Sequence, residues 1–525
     1  MAKVKTSVVF KECLQQQVLL FPPSLDSYIP AQHLVRVVNQ VVESMDVSEL
    51  INLYEGGGTS AYHPRMLLKV LLYAYCMKIY TGRKMAKALT QDIHFMWLSG
   101  MSQPDFRTLN AFRSSKAKEV IEVLFQEMLE FLIEHQYIKM ENYFCDGSTF
   151  RADANQHKMV WKKNAERYKL KTQEKCQALF REIDLLNAQE ESQYKQQDLE
   201  EHGQASTISP AAIQAHISTL NEKIKSTFDK KALRKARSLE KKLQDAQSKI
   251  SKYDHQMETA GTRSGYNKTD TDASAMMMKN KVEILPAYNV LAGCEEQFIT
   301  GVSVHQNTND GACFKEHLEH TAEQQPAQPD NIIADSIFGT AQNYELLERK
   351  QINSYLKFPS FHAEQKQSYQ ENIFLKDNFY YDQASDTYSC PNDELLTLRK
   401  TYTETHRRTG YQSQIKEYEC NDCSECAFYK SCCKSEKGAN RTIKVNPKLE
   451  HYKSKARLTL TSDQGLVFRK RRSIEIESCF GDIKHNMGFR RFNVRGLQKV
   501  KTEISLIAMA HNLRKMHIKS SKQAA

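Results

Sequence analysis

No stretch of this 525-residue sequence approaches the roughly 20 consecutive apolar residues that a membrane-spanning helix needs. The first residues, MAKVKTSVVFKECLQQQ, interrupt their apolar stretch with Lys11 and Glu12 and have no small-residue cleavage site, so we expect no secretory signal. These absences argue against a membrane protein or a membrane partner and predict a reducing, cytoplasmic compartment. The 13 cysteines are therefore expected to be metal ligands or buried thiols, not disulfides.

Glycine and proline are nearly missing from residues 156–260, which contain only Gly203 and Pro210. The segment is polar and rich in charge, and its second half, ISTLNEKIKSTFDKKALRKARSLEKKLQDAQSKI, has the pattern of a long helix. We expect an antiparallel pair of long helices that turns near 203–210. This pair would be a coiled-coil-like insertion outside the main core.

Positive charge is in excess and is concentrated near the end of the sequence. The whole chain has a formal net charge of +11, whereas residues 441–525 have 20 Lys and Arg against 6 Asp and Glu, a net charge of +14. A solvated basic surface would account for this excess. Aromatic and acidic residues are interleaved with the basic ones, however, which favours a polyphosphate partner.

The N-terminal region is expected to be helical. The stretch HPRMLLKVLLYAYCMKIYTGRKMAKAL begins with the helix-start pair His63-Pro64 and places its leucines on one face. A second amphipathic helix is predicted in KAKEVIEVLFQEMLEFLIEHQ. We predict a helical domain that contacts DNA, with packing alone as the alternative role.

The pattern changes to strands near residue 139. Predicted strands are NYFCDGSTF, two alternating runs in KVEILPAYNVLAGCEEQFITGVSVHQ joined by a turn at 293–296, NIIADSIFG and NSYLKF. Helices are predicted at 312–324 and 341–350. This β-β-β-α-β-α-β order predicts an α/β fold in which helices flank a mixed sheet.

Two aspartates, Asp146 and Asp335, each follow an apolar strand and precede small residues. Side chains at strand ends are held rigidly and are open to a ligand at the sheet edge. Turn chemistry alone explains either residue, because Asp-Gly and Asp-Ser are common turn pairs. Two such aspartates in one sheet, with a glutamate on a later basic helix, favour a shared carboxylate site.

That basic helix is predicted in RSIEIESCFGDIKHN, residues 472–486. At about 100° per residue, Glu477 and Lys484 fall on nearly the same face, whereas Glu475 and Asp482 share another face and are expected to be solvated. The predicted buried stripe is Ile476, Phe480, Ile483 and Met487. Carboxylates that hold two divalent ions about 3.5–4 Å apart can activate a water or a 3′-hydroxyl for phosphodiester chemistry.

A cysteine group between the last predicted strand and this helix has spacing typical of a zinc site. A tetrahedral zinc needs close cysteine pairs from two chain segments. The best set is Cys390, Cys423, Cys426 and Cys432, with Cys420 and Cys433 as alternates. Buried thiols without metal are the alternative, and the expected role of a bound Zn²⁺ is structural.

Several segments together carry a resemblance to a known family. They are AYHPRMLLKVLLYAYCMKIYTGRKMAKAL with PDFRTLNAFR, YFCDGSTFRADAN, TDTDASAMMMKN with PAYNV, IIADSIFGTAQNYELLE, and RSIEIESCFGDIKHNMGFRRFNVRGLQKVKTEISLIAMAHNLRKM. They resemble the bacterial insertion-sequence transposases of the DDE type, which have a ribonuclease-H-like catalytic core. The spacing of Glu477 and Lys484, with six residues between them, is this family's pattern.

The resemblance implies the site residues, cofactors and partners. Asp146, Asp335 and Glu477 would be the catalytic triad that binds two Mg²⁺ or Mn²⁺ ions. The implied DNA-contacting residues are Lys484, Arg472, Arg490, Arg491 and Arg495. The partners would be double-stranded DNA, as terminal inverted repeats and target, and further copies of the chain in a dimer or higher multimer. Localisation would then be cytoplasmic and nucleoid-associated.

The predicted domain organisation divides the chain into the following parts: a helical N-terminal DNA-binding domain at 1–138, the first part of a ribonuclease-H-like core at 139–155 and 265–358, the helical insertion at 156–264, a cysteine-rich insertion at 359–465, and the rest of the core with the basic tail at 466–525. The predicted function is DNA transposition. A non-catalytic DNA-binding scaffold and a plain metal-dependent nuclease are the alternatives.

Overall fold

A computed structural model describes residues 24–54, 60–191, 210–226, 230–278, 282–433 and 438–523 of the chain. The N-terminal part is helical, as predicted. Its helices are α1 (Leu34–Ser44), α2 (Ser48–Asn52), α3 (Pro64–Cys76), α4 (Gly82–Gln91), α5 (Ile93–Ser99), α6 (Phe106–Ala111) and α7 (Ala117–Glu134). The His63 side chain caps α3 by accepting a hydrogen bond from the Arg65 N–H at 3.2 Å, so the predicted start of this helix is confirmed.

The central sheet is mixed, as the strand order predicts. Its strands are β1 (Asn142–Arg151), β2 (Met159–Trp161), β3 (Gly265–Asn267), β4 (Ser274–Met277), β5 (Ile284–Glu295), β6 (Phe298–His305), β7 (Asn331–Ala334) and β8 (Asn353–Leu356). They run in the order β2-β3-β4-β5-β1-β7-β8, and β6 pairs with β5. Strands β5 and β1 are antiparallel, whereas β1, β7 and β8 are parallel. With its flanking helices, this sheet is compatible with a ribonuclease-H-like core.

The turn between β5 and β6 differs from the prediction at 293–296. Strand β5 continues to Glu295, and the turn is made by Glu296 and Gln297, which have φ of 52° and 63°. Gly293 is therefore a strand residue, and a glycine fits there because the Tyr143 ring occupies the space where a side chain would lie. A Cβ at Gly293 would be 1.8 Å from Tyr143 Cζ.

The helical insertion begins and ends at the edge of the central sheet, where β2 pairs with β3. Its helices are α8 (Lys162–Glu191), α9 (Pro210–Ser226) and α10 (Lys230–Ala260). The long helix predicted over 217–250 is therefore divided between α9 and α10, and α10 packs against both α8 and α9. The predicted turn near 203–210 lies outside the described residues except for Pro210, the first residue of α9. None of the helices in the described ranges is both long and apolar enough to cross a membrane.

A second, antiparallel sheet follows the central one and was not predicted. After α11 (Asp310–Gln324) and α12 (Ala341–Arg349), the short helices α13 (Phe361–Glu364) and α14 (Gln367–Gln370) lead into it. Its strands are β9 (Tyr380–Asp382), β10 (Thr387–Ser389), β11 (Leu395–Thr405), β12 (Gln412–Cys420) and β13 (Thr442–Val445), with α15 (Tyr429–Cys432) between the last two. Strand β11 is mostly exposed, so its sequence has no clear apolar alternation.

The chain then returns to the central core through α16 (Pro447–Thr461), α17 (Asp463–Arg472), α18 (Ser478–Gly481) and α19 (Leu497–Gln523). Helix α19 packs against β6, α3 and α7, so the N-terminal helices and the central sheet share one hydrophobic core. Glu503 on α19 is fully buried and accepts a hydrogen bond from the Tyr75 hydroxyl at 3.1 Å. Arg113 lies 3.5 Å from the same carboxylate. This network joins the N-terminal helices to α19.

Substitution of Gly293 tests the packing of the central sheet. Gly293→Ala is expected to lower the free energy of unfolding by about 2 kcal/mol or more, because the new methyl group overlaps the buried Tyr143 ring. Gly481→Ala is the matched control: no atom lies within 4 Å of its added Cβ, and the residue is helical. The control is expected to be neutral or slightly stabilising. Equal costs in urea denaturation would contradict this account.

Candidate active site

Asp146 and Asp335 are placed side by side by the pairing of β1 with β7. The parallel register ends with Cys145 opposite Ala334, and the next residue of the chain after each of them is an aspartate. Strand β7 ends there, as predicted. Strand β1 does not end at Asp146, because it continues to Arg151 along β5. Asp146 therefore lies inside β1, at the point where one edge of the strand is still paired with β5 and the edge that faces β7 has become free.

The predicted glutamate helix contains two π-helical turns. The first, Ser473–Glu477, follows α17, and the second, Asp482–Asn486, follows α18. A π turn joins residues five positions apart, and such turns occur often at functional sites. Arg472 and Glu477 are five positions apart, and an Arg472 Nη2–H donates to Glu477 Oε1 at 2.9 Å.

Arg472 lies between the three predicted catalytic carboxylates. Besides Glu477, its guanidinium is 3.5 Å from Asp146 Oδ2 and 3.7 Å from Asp335 Oδ2. Its side chain is only 11% exposed, whereas those of Asp335 and Glu477 are 43% and 50% exposed. The structure therefore brings the three acids together from three separate segments, and their open side faces solvent. The sequence predicts Arg472 as a DNA contact, but here it contacts the acids.

Burial raises the pKa of Asp146, and the nearby carboxylates of Asp310 and Asp335 act in the same direction. The Gly147 N–H, which donates to Asp146 Oδ1 at 2.8 Å, and the Arg472 guanidinium both oppose this rise. A cation beside Asp146 therefore favours its charged form.

Two further residues at the site, Lys357 and Asp310, were not predicted from the sequence. Lys357 directly follows β8 and places Nζ 3.8 Å from Asp335 Oδ1. Burial lowers the pKa of Lys357, as does the positive charge of Arg472. Asp310, in the first turn of α11, packs on Gly147 and accepts a hydrogen bond from Asn289 Nδ2 at 2.6 Å. The strand-end criterion used for Asp146 and Asp335 would have found Lys357 if applied to β8.

The other acids of the glutamate helix are not the solvated pair predicted from helical phase. Glu475 is buried, and it accepts hydrogen bonds from Arg471 and from the Gln297 N–H, both at 2.7 Å. Asp482 is half-buried and pairs with His511 Nδ1 at 2.8 Å. Their predicted exposure is wrong because two π turns interrupt the α-helix and change the faces on which its residues lie. The apolar stripe of this helix is confirmed, since Ile476, Phe480, Ile483 and Met487 are all buried.

The Lys484 side chain contacts other residues of the protein, on strand β1. Its Nζ donates to Ser148 Oγ at 2.6 Å and to the Thr149 carbonyl at 2.8 Å, and it lies 4.4 Å from the centre of the Phe150 ring. These contacts fasten the glutamate helix to β1 just beyond Asp146. A phosphate contact, as predicted for Lys484, would require Nζ to leave these acceptors.

The predicted arginines beyond this helix are exposed. Arg491 and Arg495 both pair with Asp153, the second at 2.9 Å. The Arg490 side chain donates to the Lys484 carbonyl at 3.0 Å. Each guanidinium is anchored on one side and accessible on the other.

The cysteine group surrounds one small cavity of about 10 Å³ at the end of the second sheet. The lining cysteines are Cys390, Cys420, Cys423, Cys426, Cys432 and Cys433. Within the described ranges, no group of three or more His, Cys, Asp or Glu side chains has the arrangement of a metal site. This holds for the cysteines and for the three acids around Arg472.

Hydrogen bonds divide four of these cysteines into two kinds. Two sulfurs accept from backbone amides: Cys390 from Asn392 at 3.3 Å and Cys423 from Arg441 at 3.4 Å. Two thiols instead point at backbone carbonyls: Cys420 at Asp422, 3.6 Å, and Cys433 at Ala439, 3.3 Å. Burial raises the pKa of Cys420 to about 12, which keeps its proton in place. The first kind suits a thiolate and the second a thiol.

Two family models match the chain. A transposase DDE domain matches residues 389–517, which include the cysteine group and Glu477, and a transposase domain (DUF772) matches residues 23–115. No curated protein and no solved structure matches it. The two matches support an insertion-sequence transposase of the DDE type, as the resemblance of the sequence indicated.

The buried position of Glu475 gives a prediction about stability. Glu475→Gln is expected to lower the free energy of unfolding by about 2 kcal/mol, because it weakens buried bonds to Arg471 and to the Gln297 N–H. Glu296→Gln is the control, since Glu296 pairs with the same arginine at 2.8 Å but is exposed. Its expected cost is below about 0.5 kcal/mol. Thermal or urea denaturation that gives the two variants the same stability would restore the solvated assignment.

Proposed function

We propose that this protein is a DNA transposase that cuts at the ends of its insertion sequence and joins the freed 3′-hydroxyl to target DNA. The observation that carries the proposal is the convergence of Asp146, Asp335 and Glu477 on one guanidinium. Carboxylate oxygens are the hard ligands that Mg²⁺ and Mn²⁺ prefer. Two further features support it: the DDE-domain match and the strong positive charge of the C-terminal region.

The chemistry consists of two displacements at phosphorus. In the first, water attacks a phosphodiester at the element end, the bond from phosphorus to the 3′-oxygen breaks, and a 3′-hydroxyl and a 5′-phosphate are released. In the second, that hydroxyl attacks a phosphodiester of the target, and the target's own 3′-oxygen leaves. Bound divalent ions would activate the nucleophile and stabilise the leaving oxygen.

The protein's own residues hold and orient these groups. The sheet fixes Asp146, and Lys484 fastens the glutamate helix to the same strand, so the acids from separate segments keep one geometry. The exposed guanidinium edges of Arg490, Arg491 and Arg495 are suited to phosphates of the DNA backbone. Multimerisation on DNA would bring two element ends together.

Loss of one carboxylate is expected to slow cleavage strongly. The substrate is a duplex oligonucleotide with the inverted repeats that flank the reading frame, and Mn²⁺ is supplied. Asp146→Asn and Glu477→Gln are each expected to slow cleavage on the order of 1,000-fold, because several kcal/mol of transition-state stabilisation depend on the ions.

Glu319→Gln is the control, since Glu319 is an exposed carboxylate of the same core that pairs with Lys315 on its own helix at 3.7 Å. Cleavage that survives in both triad variants would refute the site assignment. Cleavage without joining to target DNA would instead support a plain nuclease.

We also propose that Cys390, Cys423, Cys426 and Cys432 hold a structural Zn²⁺. Amide donors to two of these sulfurs suit thiolates, and the cavity is the size of a single water or ion. Burial raises the pKa of Cys432, so metal binding there would have to displace a proton. In this arrangement the ion would join the end of β10 to the segment after β12.

Metal analysis of variants tests this ligand set. The protein purified under reducing conditions is expected to contain about one zinc per chain. Cys423→Ser and Cys432→Ser should lose it, whereas Cys420→Ser and Cys433→Ser should retain it. Loss of zinc in the last two variants only, or no zinc in the unmodified protein, would contradict the assignment.

A further inference from the structure

Arg472 fills the space that a cation bound to the triad would use. It is the last residue of α17, its side chain is nearly buried, and its guanidinium is within 3.7 Å of all three acids. Lys357 adds a second positive charge beside Asp335. The three carboxylates therefore have an internal counter-ion in the absence of metal.

We propose that Arg472 competes with divalent metal for the triad and moves to a DNA phosphate when metal binds. This inference rests on the proposed function, because it assumes that the triad binds metal. Arg472 is then a positioning residue that links the two binding events: metal displaces the guanidinium, and a phosphodiester accepts it. DNA and metal would consequently strengthen each other's binding.

Electrostatics explains the competition. Three carboxylates that share one site repel one another, and partial burial strengthens the repulsion. One guanidinium relieves it. Divalent ions would relieve it more fully, and their charge would then repel the guanidinium they replace. Lys357 adds to this repulsion, since its Nζ lies 3.8 Å from Asp335 Oδ1, on an acid that Arg472 also contacts.

A phosphate is the group best suited to receive the displaced side chain. Guanidinium binds phosphate and carboxylate oxygens in the same two-pronged geometry. The substrate phosphodiester must approach the same three acids. The side chains of Asp335 and Glu477 are 43% and 50% exposed, so a phosphodiester would reach them from solvent and give Arg472 an acceptor close to its starting position.

Titration with Mn²⁺ in the absence of DNA tests the competition. Arg472→Gln is expected to bind Mn²⁺ at least about tenfold more tightly than the unmodified protein by calorimetry, because the ion no longer displaces a charge. Arg471→Gln is the matched control: Arg471 is the preceding residue and pairs with Glu475 and Glu296, not with the triad. Its Mn²⁺ affinity should be unchanged.

If Arg472 had only a structural role, its loss would not increase the affinity for Mn²⁺. The proposal instead expects that Arg472→Gln lowers the melting temperature of the metal-free protein and that saturating Mn²⁺ raises this temperature by more than in the unmodified protein. A folded Arg472→Gln variant that binds Mn²⁺ no more tightly than the unmodified protein overturns the proposal. If that variant does not fold, Arg472→Lys serves the same test, because a lysine ammonium cannot bridge all three acids, and its Mn²⁺ affinity should be intermediate.

The linkage to DNA needs one further titration. A short duplex of arbitrary sequence is expected to increase the Mn²⁺ affinity of the unmodified protein by a larger factor than that of Arg472→Gln. If DNA increases the Mn²⁺ affinity of both proteins by the same factor, Arg472 does not move to a phosphate and that part of the proposal is wrong.

These binding measurements do not depend on cleavage. If Mn²⁺ competition is found while Asp146→Asn still cleaves DNA, the counter-ion role stands and the proposed catalytic triad falls.

Discussion

The parallel pairing of β1 with β7 determines the geometry of the candidate site. The pairing ends at Cys145 and Ala334, so Asp146 and Asp335, the next residues of the two segments, become neighbours. Strand β1 continues along β5, and its next residues accept the hydrogen bonds of Lys484, which fixes the helix that carries Glu477. A shift of one residue in this pairing would turn Asp146 to the other face of the sheet.

Three carboxylates that lie close together repel one another, and the basic residues around Glu477 offset this repulsion. Arg472 contacts Glu477 because a π turn places residues five positions apart beside each other, and the same guanidinium lies 3.5 Å from Asp146 and 3.7 Å from Asp335. The neighbouring Arg471 neutralises Glu475 on a different side of the same helix. Acids and bases in this segment are therefore paired, and Arg472 contacts three acids at once, with Lys357 as a second base beside Asp335.

Much of the fold could be predicted because its signals are local. Apolar periodicity predicted α3 and α7, and apolar runs predicted β1, which contains Asp146, and β7, which ends before Asp335. The second sheet could not be predicted, because β11 is exposed and its residues do not alternate. The turn after β5 was misplaced because Gly293 serves to admit the Tyr143 ring, a contact between distant residues. The burial of Glu475 was missed for a similar reason, since π turns change the phase of the helix and have no simple sequence signal.

Diffraction from a crystal grown with Mn²⁺ tests the central claim most directly, since the anomalous signal of Mn²⁺ locates each ion. The account predicts a peak between the carboxylates of Asp146, Asp335 and Glu477, with the Arg472 guanidinium displaced from its present position. A fully occupied Mn²⁺ elsewhere in the core, with Arg472 still bridging the three acids, would contradict it.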